Sequence, residues 1–187
     1  MTLDHQLRAT PQGKRFLELD SLVRDFLLRQ LRDSQVARAV GGQLVNVLQN
    51  CDAITYEEEG AVEAYAMLHF LDRYHRFQLI FAQLHVQHLM PFRKRVLDIL
   101  DVGTGPGPSM FALSDFYVDL LGLGEGPSRG SRHPRFRIDY VERSQSFRSW
   151  LHHCQRRRQN ASVGRSKDAS VRLAGRPPAW GLPAFCN

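Results

Sequence analysis

The chain has 187 residues, 43% of them hydrophobic, and a formal net charge of +6. That length suits one ordinary domain, or a small domain with an appendage, and the apolar content allows a packed core. No run of about 18 uncharged apolar residues occurs, so no membrane-spanning helix is expected. The first residues also lack the basic-then-apolar pattern of a signal peptide.

The charge is unevenly placed. Residues 1–128 hold 12 Lys+Arg against 16 Asp+Glu, whereas residues 129–187 hold 13 against 3. The basic C-terminal third is a candidate for contact with nucleic acid or another anionic surface. Its arginines carry no interleaved aromatic platform, so a solvated tail is the plainer reading. Cys51, Cys154 and Cys186 are odd in number and far apart. That usage points to free thiols in a reducing compartment, hence to an intracellular, cytoplasmic protein.

In chain order, residues 1–13 read as a loose, polar N-terminus, with Thr10-Pro11 suited to start a helix. Residues 14–92 read as helical. Phe16, Leu19, Val23, Phe26, Leu27 and Leu31 recur at helical spacing. A second helix is predicted over about Ser34–Gln49, with Val36, Val40, Leu44, Val47 and Leu48 on one side. Gly41-Gly42 inside it either permits close helix contact or marks a break. Thr55 with Glu58 has the form of a capping box. A long helical pattern then runs to about Met90, with a wide apolar face flanked by Leu68, Leu71, Leu79 and Ile80. Pro91 ends it.

Residues 93–158 change character. Val96–Leu100 reads as a buried strand, and Asp101-Val102-Gly103-Thr104-Gly105-Pro106-Gly107 as a glycine turn. Pro108–Leu113 opens a helix predicted to reach about Leu121. Glycines tolerate unusual backbone angles and let a ligand approach the main chain; the free amides of a helix start add donors. A Gly-rich loop at 122–134 leads to a second strand at Phe136–Glu142, where apolar and polar residues alternate. Ser144 is placed to cap a helix that carries Phe147, Trp150 and Leu151 and ends near Arg158. Residues 159–187 read as an irregular basic tail.

The glycines fall as G-x-G-x-G. A dinucleotide fingerprint would be G-x-G-x-x-G/A, but Pro108 stands at its third position, which disfavours a nicotinamide-dependent oxidoreductase. The Gly-Lys-Ser/Thr of a P-loop is absent. The stretch Leu100–Gly107 closely resembles motif I of the class I S-adenosylmethionine-dependent methyltransferases. That resemblance covers about Val96 to Trp150.

The resemblance implies an α/β chain: a helical N-terminal region followed by a partial Rossmann-like methyltransferase sheet. It implies S-adenosyl-L-methionine as cofactor, held by Asp101, Gly103, Thr104, Gly105, Pro106 and Gly107. Asp101 would orient the cofactor's amino group, and Glu142, ending the second strand, would take both ribose hydroxyls. A carboxylate suits that task because its two oxygens accept from two neighbouring hydroxyls. The implied function is methyl transfer, weak or absent in so short a chain, since a complete domain of this family has seven strands. The alternative is a non-catalytic, methyltransferase-like binding or regulatory protein. Arg176-Pro177-Pro178-Ala179-Trp180 is only faintly similar to the motif of amino-methylating members and reads as a chance match. No general base and no methyl acceptor is singled out. His85 with His88, and His152-His153-Cys154, have metal-compatible residue types but lack partners at site spacing, so no metal is expected.

Overall fold

The computed structural model describes residues 9–51, 53–91, 96–124 and 135–162; of 96, 121–124, 135–137 and 157–162 it describes the backbone alone. Of the Gly-rich loop expected at 122–134, residues 122–124 continue the helix Pro108–Gly124 and 125–134 lie outside these; of the irregular tail expected at 159–187, residues 159–162 continue the helix Gln145–Ser162 and the rest, with the Arg-Pro-Pro stretch, lies outside, as do the first eight residues. The described residues are mixed α/β, mostly helical with one small parallel sheet. No helix among the described residues is long and apolar enough to cross a membrane.

Helix α1, Pro11–Gln30, starts where Thr10 accepts a hydrogen bond from the Gly13 amide and Pro11 takes the first turn. It buries Leu19, Val23, Phe26 and Leu27. Helix α2, Ser34–Asn50, starts from Asp33, whose carboxylate accepts from the Gln35 amide. It runs unbroken through Gly41-Gly42, and a Cβ on either glycine would meet nothing within 4 Å. The close approach to α2 is made instead by Gly60, whose added Cβ would lie 2.5 Å from the Val40 nitrogen.

That approach also displaces the expected capping box. The next helix, α3, is Ala61–Tyr65, with Gly60 in the left-handed region (φ 80°) as its N-cap. Thr55 lies six residues upstream, and Glu58 turns away to accept from Gln43. Tyr56, also left-handed (φ 52°), redirects the chain in between and donates its hydroxyl to the Cys51 carbonyl. A π-helical turn, Ala66–Phe70, joins α3 to α4, Leu71–Val86. One extra residue per turn at such a bulge rotates the following face. Only Tyr74 of α4 is fully buried, and Leu79 and Ile80 are exposed at 58% and 49%. The wide apolar face is thus covered on one side, where α4 packs along α5.

Strand β1, Val96–Val102, pairs in parallel with β2, Arg135–Val141, in the register Val96 to Arg135 through Val102 to Val141. Helix α5, Pro108–Gly124, connects them, and helix α6, Gln145–Ser162, follows β2. Leu97 and Ile138 face the helices and are buried. Ser144 caps α6 by accepting from the Phe147 amide.

One hydrophobic core crosses from the helical region into the strand-bearing part. Its spine is aromatic: Phe26 meets Trp150 edge-on at 5.7 Å, Trp150 meets Phe70 at 4.9 Å, and Phe70 meets Phe111 at 5.9 Å. Offset and edge-on rings add roughly 0.5–1.5 kcal/mol per pair beyond their buried area. A polar clasp lies beside it. The Tyr74 hydroxyl donates to Asp115 at 2.9 Å, Gln78 donates to the Ala112 carbonyl, and Arg15 pairs with Asp119. This clasp joins α1 and α4 to α5, the helix that leaves the glycine turn.

Candidate functional site

The turn between β1 and α5 is built from backbone angles that only glycine adopts cheaply. Gly103, Gly105 and Gly107 have φ of 71°, 55° and 88°. The Gly103 amide donates to the Val141 carbonyl at 2.8 Å, carrying the strand ladder into the turn. The Gly107 amide donates to the Thr104 carbonyl, and the Gly107 carbonyl accepts from Phe111 in the first turn of α5. Thr104 and Pro106 are buried, which holds the turn's underside.

Two carboxylates stand at the ends of the two strands. Asp101 accepts through Oδ2 from the hydroxyls of Thr104, at 2.7 Å, and Ser109. Glu142 accepts through Oε2 from the Gly105 amide at 2.6 Å and through Oε1 from the Ser144 amide at 2.8 Å. Thus Glu142 bridges the glycine turn and the start of α6. Both carboxylates are half-buried, hence within reach of a ligand.

The turn faces open space on one side. A Cβ on Gly103 would meet nothing within 4 Å, and one on Gly105 would have Phe147 at 4.0 Å as its nearest neighbour. On the other side a Cβ on Gly107 would fall 2.5 Å from Cδ1 of Leu151. Helix α6 therefore supports the turn, with Phe147 beneath Gly105 and Leu151 beneath Gly107. Tyr56 and Tyr65 pack on Phe147 at 4.5 and 5.4 Å, bringing the segment before α3 to the same place.

All seven residues singled out from the sequence fall in this one region. Several contributors were not singled out as site residues. Ser109, in the first turn of α5, is a donor to Asp101. Phe147 and Leu151 were read as helix-face residues, and their contact with the turn has no local signal.

The histidines do other work. His88 has φ 58° at the end of α4, where the Leu89 amide returns to the Leu84 carbonyl, as in a left-handed helix cap. His152 meets the Tyr140 hydroxyl at 3.1 Å, His153 packs on Phe26, and Cys154 is fully buried. These three point to three different surroundings. Burial pushes the Cys154 thiol up to about 12, so it remains protonated at neutral pH.

No family model, curated protein or solved structure matches the chain.

Proposed function

We propose that the turn at 101–107, together with Glu142, binds S-adenosyl-L-methionine in a Rossmann-like arrangement, and that the chain is an S-adenosylmethionine-dependent methyltransferase. The observation that carries this reading is the pairing of three left-handed glycines, set between a parallel strand and a helix, with a carboxylate at the end of each strand. The open side of Gly103 leaves room for a ligand against the main chain.

Asp101 is suited to the cofactor's amino group, its position being set by Thr104 and Ser109. Each oxygen of Glu142 accepts one backbone N–H. An ionised carboxylate offers about four acceptor sites, so two remain for a pair of ribose hydroxyls. The bound cofactor supplies an electrophilic methyl group on a sulfonium. The chain's part in that displacement is positioning and field, which need no general base.

A second reading is a cofactor-binding or regulatory protein without turnover. It is favoured by the sheet, which has two strands among the described residues. A radiolabelled methyl-transfer assay across RNA, protein and small-molecule pools separates the two.

Binding is tested by calorimetry on the full chain with S-adenosylhomocysteine, S-adenosylmethionine and NAD. Saturable binding of the first two and none of NAD is expected. Gly105→Val should lose binding, because a β-branched residue is a genuine outlier at φ 55° and its side chain enters the ligand's space. Absence of binding by the folded chain, or equal affinity in the variant, would sink the reading.

A further inference from the structure

Helix α6 has two unlike faces. Phe147, Trp150, Leu151 and Cys154 are buried against the core and the turn. Arg148, His152 and Arg156 fall at every fourth residue, hence on one outer face, stepping about 6 Å along the axis each time. His152 and Arg156 are exposed, and Arg148 is half-buried.

The charge on this face is uncompensated. The sequence of α6 holds Arg148, Arg156, Arg157 and Arg158 and no aspartate or glutamate, and after Glu142 the next acid in the chain is Asp168. Arg148 donates to two neutral oxygens, the Glu142 carbonyl and the Gln145 side-chain amide. Arg143, Arg148 and Arg156 have no carboxylate partner among the described residues. Glu57 and Glu142, at the helix start, accept from backbone amides instead.

A second observation comes from the sheet. Tyr140 of β2 sets its hydroxyl 3.1 Å from Nε2 of His152, and the two rings meet edge-on at 6.2 Å. Burial raises the Tyr140 phenol and the Arg148 charge pulls it partly back, so Arg148 lies close to the same ring. The fold thus places beside the arginines an aromatic pair that their own stretch of sequence does not supply. A guanidinium at either end and a braced ring between them suit a chain of phosphates that carries bases. A lone phosphate would occupy only one end of a row about 12 Å long. An anionic membrane suits it less, because an interfacial helix turns its apolar residues outward, and Phe147, Trp150 and Leu151 are turned inward.

We infer that the outer face of α6 binds a single-stranded polynucleotide, with Arg148 and Arg156 on its phosphates and His152, braced by Tyr140, against a base. This surface goes beyond the reading of the glycine turn and holds whether or not that turn binds S-adenosylmethionine.

The test is fluorescence anisotropy of a labelled oligouridylate of about 12 nucleotides, titrated with the full chain at several salt concentrations. Saturable binding with a Kd of about 1–100 μM at physiological salt is expected. Arg148→Gln/Arg156→Gln should weaken it at least about tenfold and lower the slope of log K against log salt by about 1.4, the share of two single-strand phosphates. Arg32→Gln/Arg38→Gln, which removes the same charge from exposed positions elsewhere, should leave it within about twofold. Arg156→Glu serves if the first pair fails to fold, since Arg156 is exposed and its side chain has no hydrogen bond among the described residues; it too should weaken binding at least about tenfold, with far-UV circular dichroism unchanged. His152→Ala should weaken oligouridylate at least about fivefold and leave inorganic polyphosphate, which has no bases, unaffected. No saturation by about 1 mM chain, well above the non-specific range, would overturn the inference. So would an equal loss in the Arg32/Arg38 variant, full affinity in folded Arg156→Glu, or an equal loss of polyphosphate binding in His152→Ala. Binding to vesicles of equal parts phosphatidylcholine and phosphatidylserine as tight as to the oligouridylate would overturn it in favour of a membrane.

Discussion

Gly107→Ala tests whether α6 holds the glycine turn. At φ 88° an alanine lies outside the narrow left-handed well, at a cost of about 1–2 kcal/mol. Its Cβ would also fall 2.5 Å from Cδ1 of Leu151 and 3.6 Å from Phe111. A leucine methyl at the surface would swing aside, but Leu151 is fully buried, so relief requires α6 or the turn to shift. Overpacking of that kind costs about 1–3 kcal/mol. The sum is roughly 2–5 kcal/mol, or a fall in Tm of roughly 4–20 °C for a chain of this size. Urea denaturation followed by circular dichroism measures it without any ligand.

The companion variant is Leu151→Ala, which alone should cost about 2–5 kcal/mol through the cavity it leaves. In the double variant the new methyl has room, the overpacking cost disappears, and only the backbone strain remains. The double variant should therefore fall short of the sum of the singles by about 1–3 kcal/mol. Additivity within about 0.5 kcal/mol would mean that the two positions do not touch. Either that result, or a Gly107→Ala cost below about 1 kcal/mol, would refute the argument that α6 supports the turn.

Gly41→Ala and Gly42→Ala should each stabilise the chain by about 0.5–1 kcal/mol, because both lie inside α2 with open space at Cβ; a loss of stability in urea unfolding would show a hidden contact. Gly60→Ala should do the reverse, since its Cβ would meet α2 backbone at 2.5 Å. Tyr74→Phe removes a donor from the buried Asp115 carboxylate and should cost about 1.5–3 kcal/mol by chemical denaturation; a cost below about 0.5 kcal/mol would show that the clasp does not hold α4 to α5. Cys154 titrates from 9.0 unfolded to about 12 folded, so its contribution to stability is complete below pH 9 and lost as pH rises towards 12. Between pH 9 and 10 this group should lower stability by up to about 1.4 kcal/mol per pH unit, and Cys154→Ala should flatten the slope by that share. An unchanged slope in Cys154→Ala would assign it to other groups.

The sequence alone determined what local chemistry determines. Thr10 with Pro11 and Ser144 each mark a helix start because a cap is a contact over two or three residues. The strand, glycine turn and helix from 96 to 124 are legible because backbone angles and periodicity are properties of neighbours along the chain. For the same reason the seven candidate residues of the site could be named from spacing and resemblance.

Tertiary structure decided what depends on docking. Glu142 meets Gly105 across 37 positions, and Arg15 meets Asp119 across 104. No periodicity encodes which amide a carboxylate will find. Gly41-Gly42 left a close contact and a break both open and makes neither, while Gly60 takes the close approach, since that depends on how α3 lies on α2. Leu79 and Ile80 read as flanking a wide apolar face but are exposed, because apolar spacing names a face and only packing shows whether anything covers it. A cleft lined by Glu58, Glu59, Glu63 and Trp150 assembles from segments some ninety residues apart, and it exists only once α6 folds against the helical region.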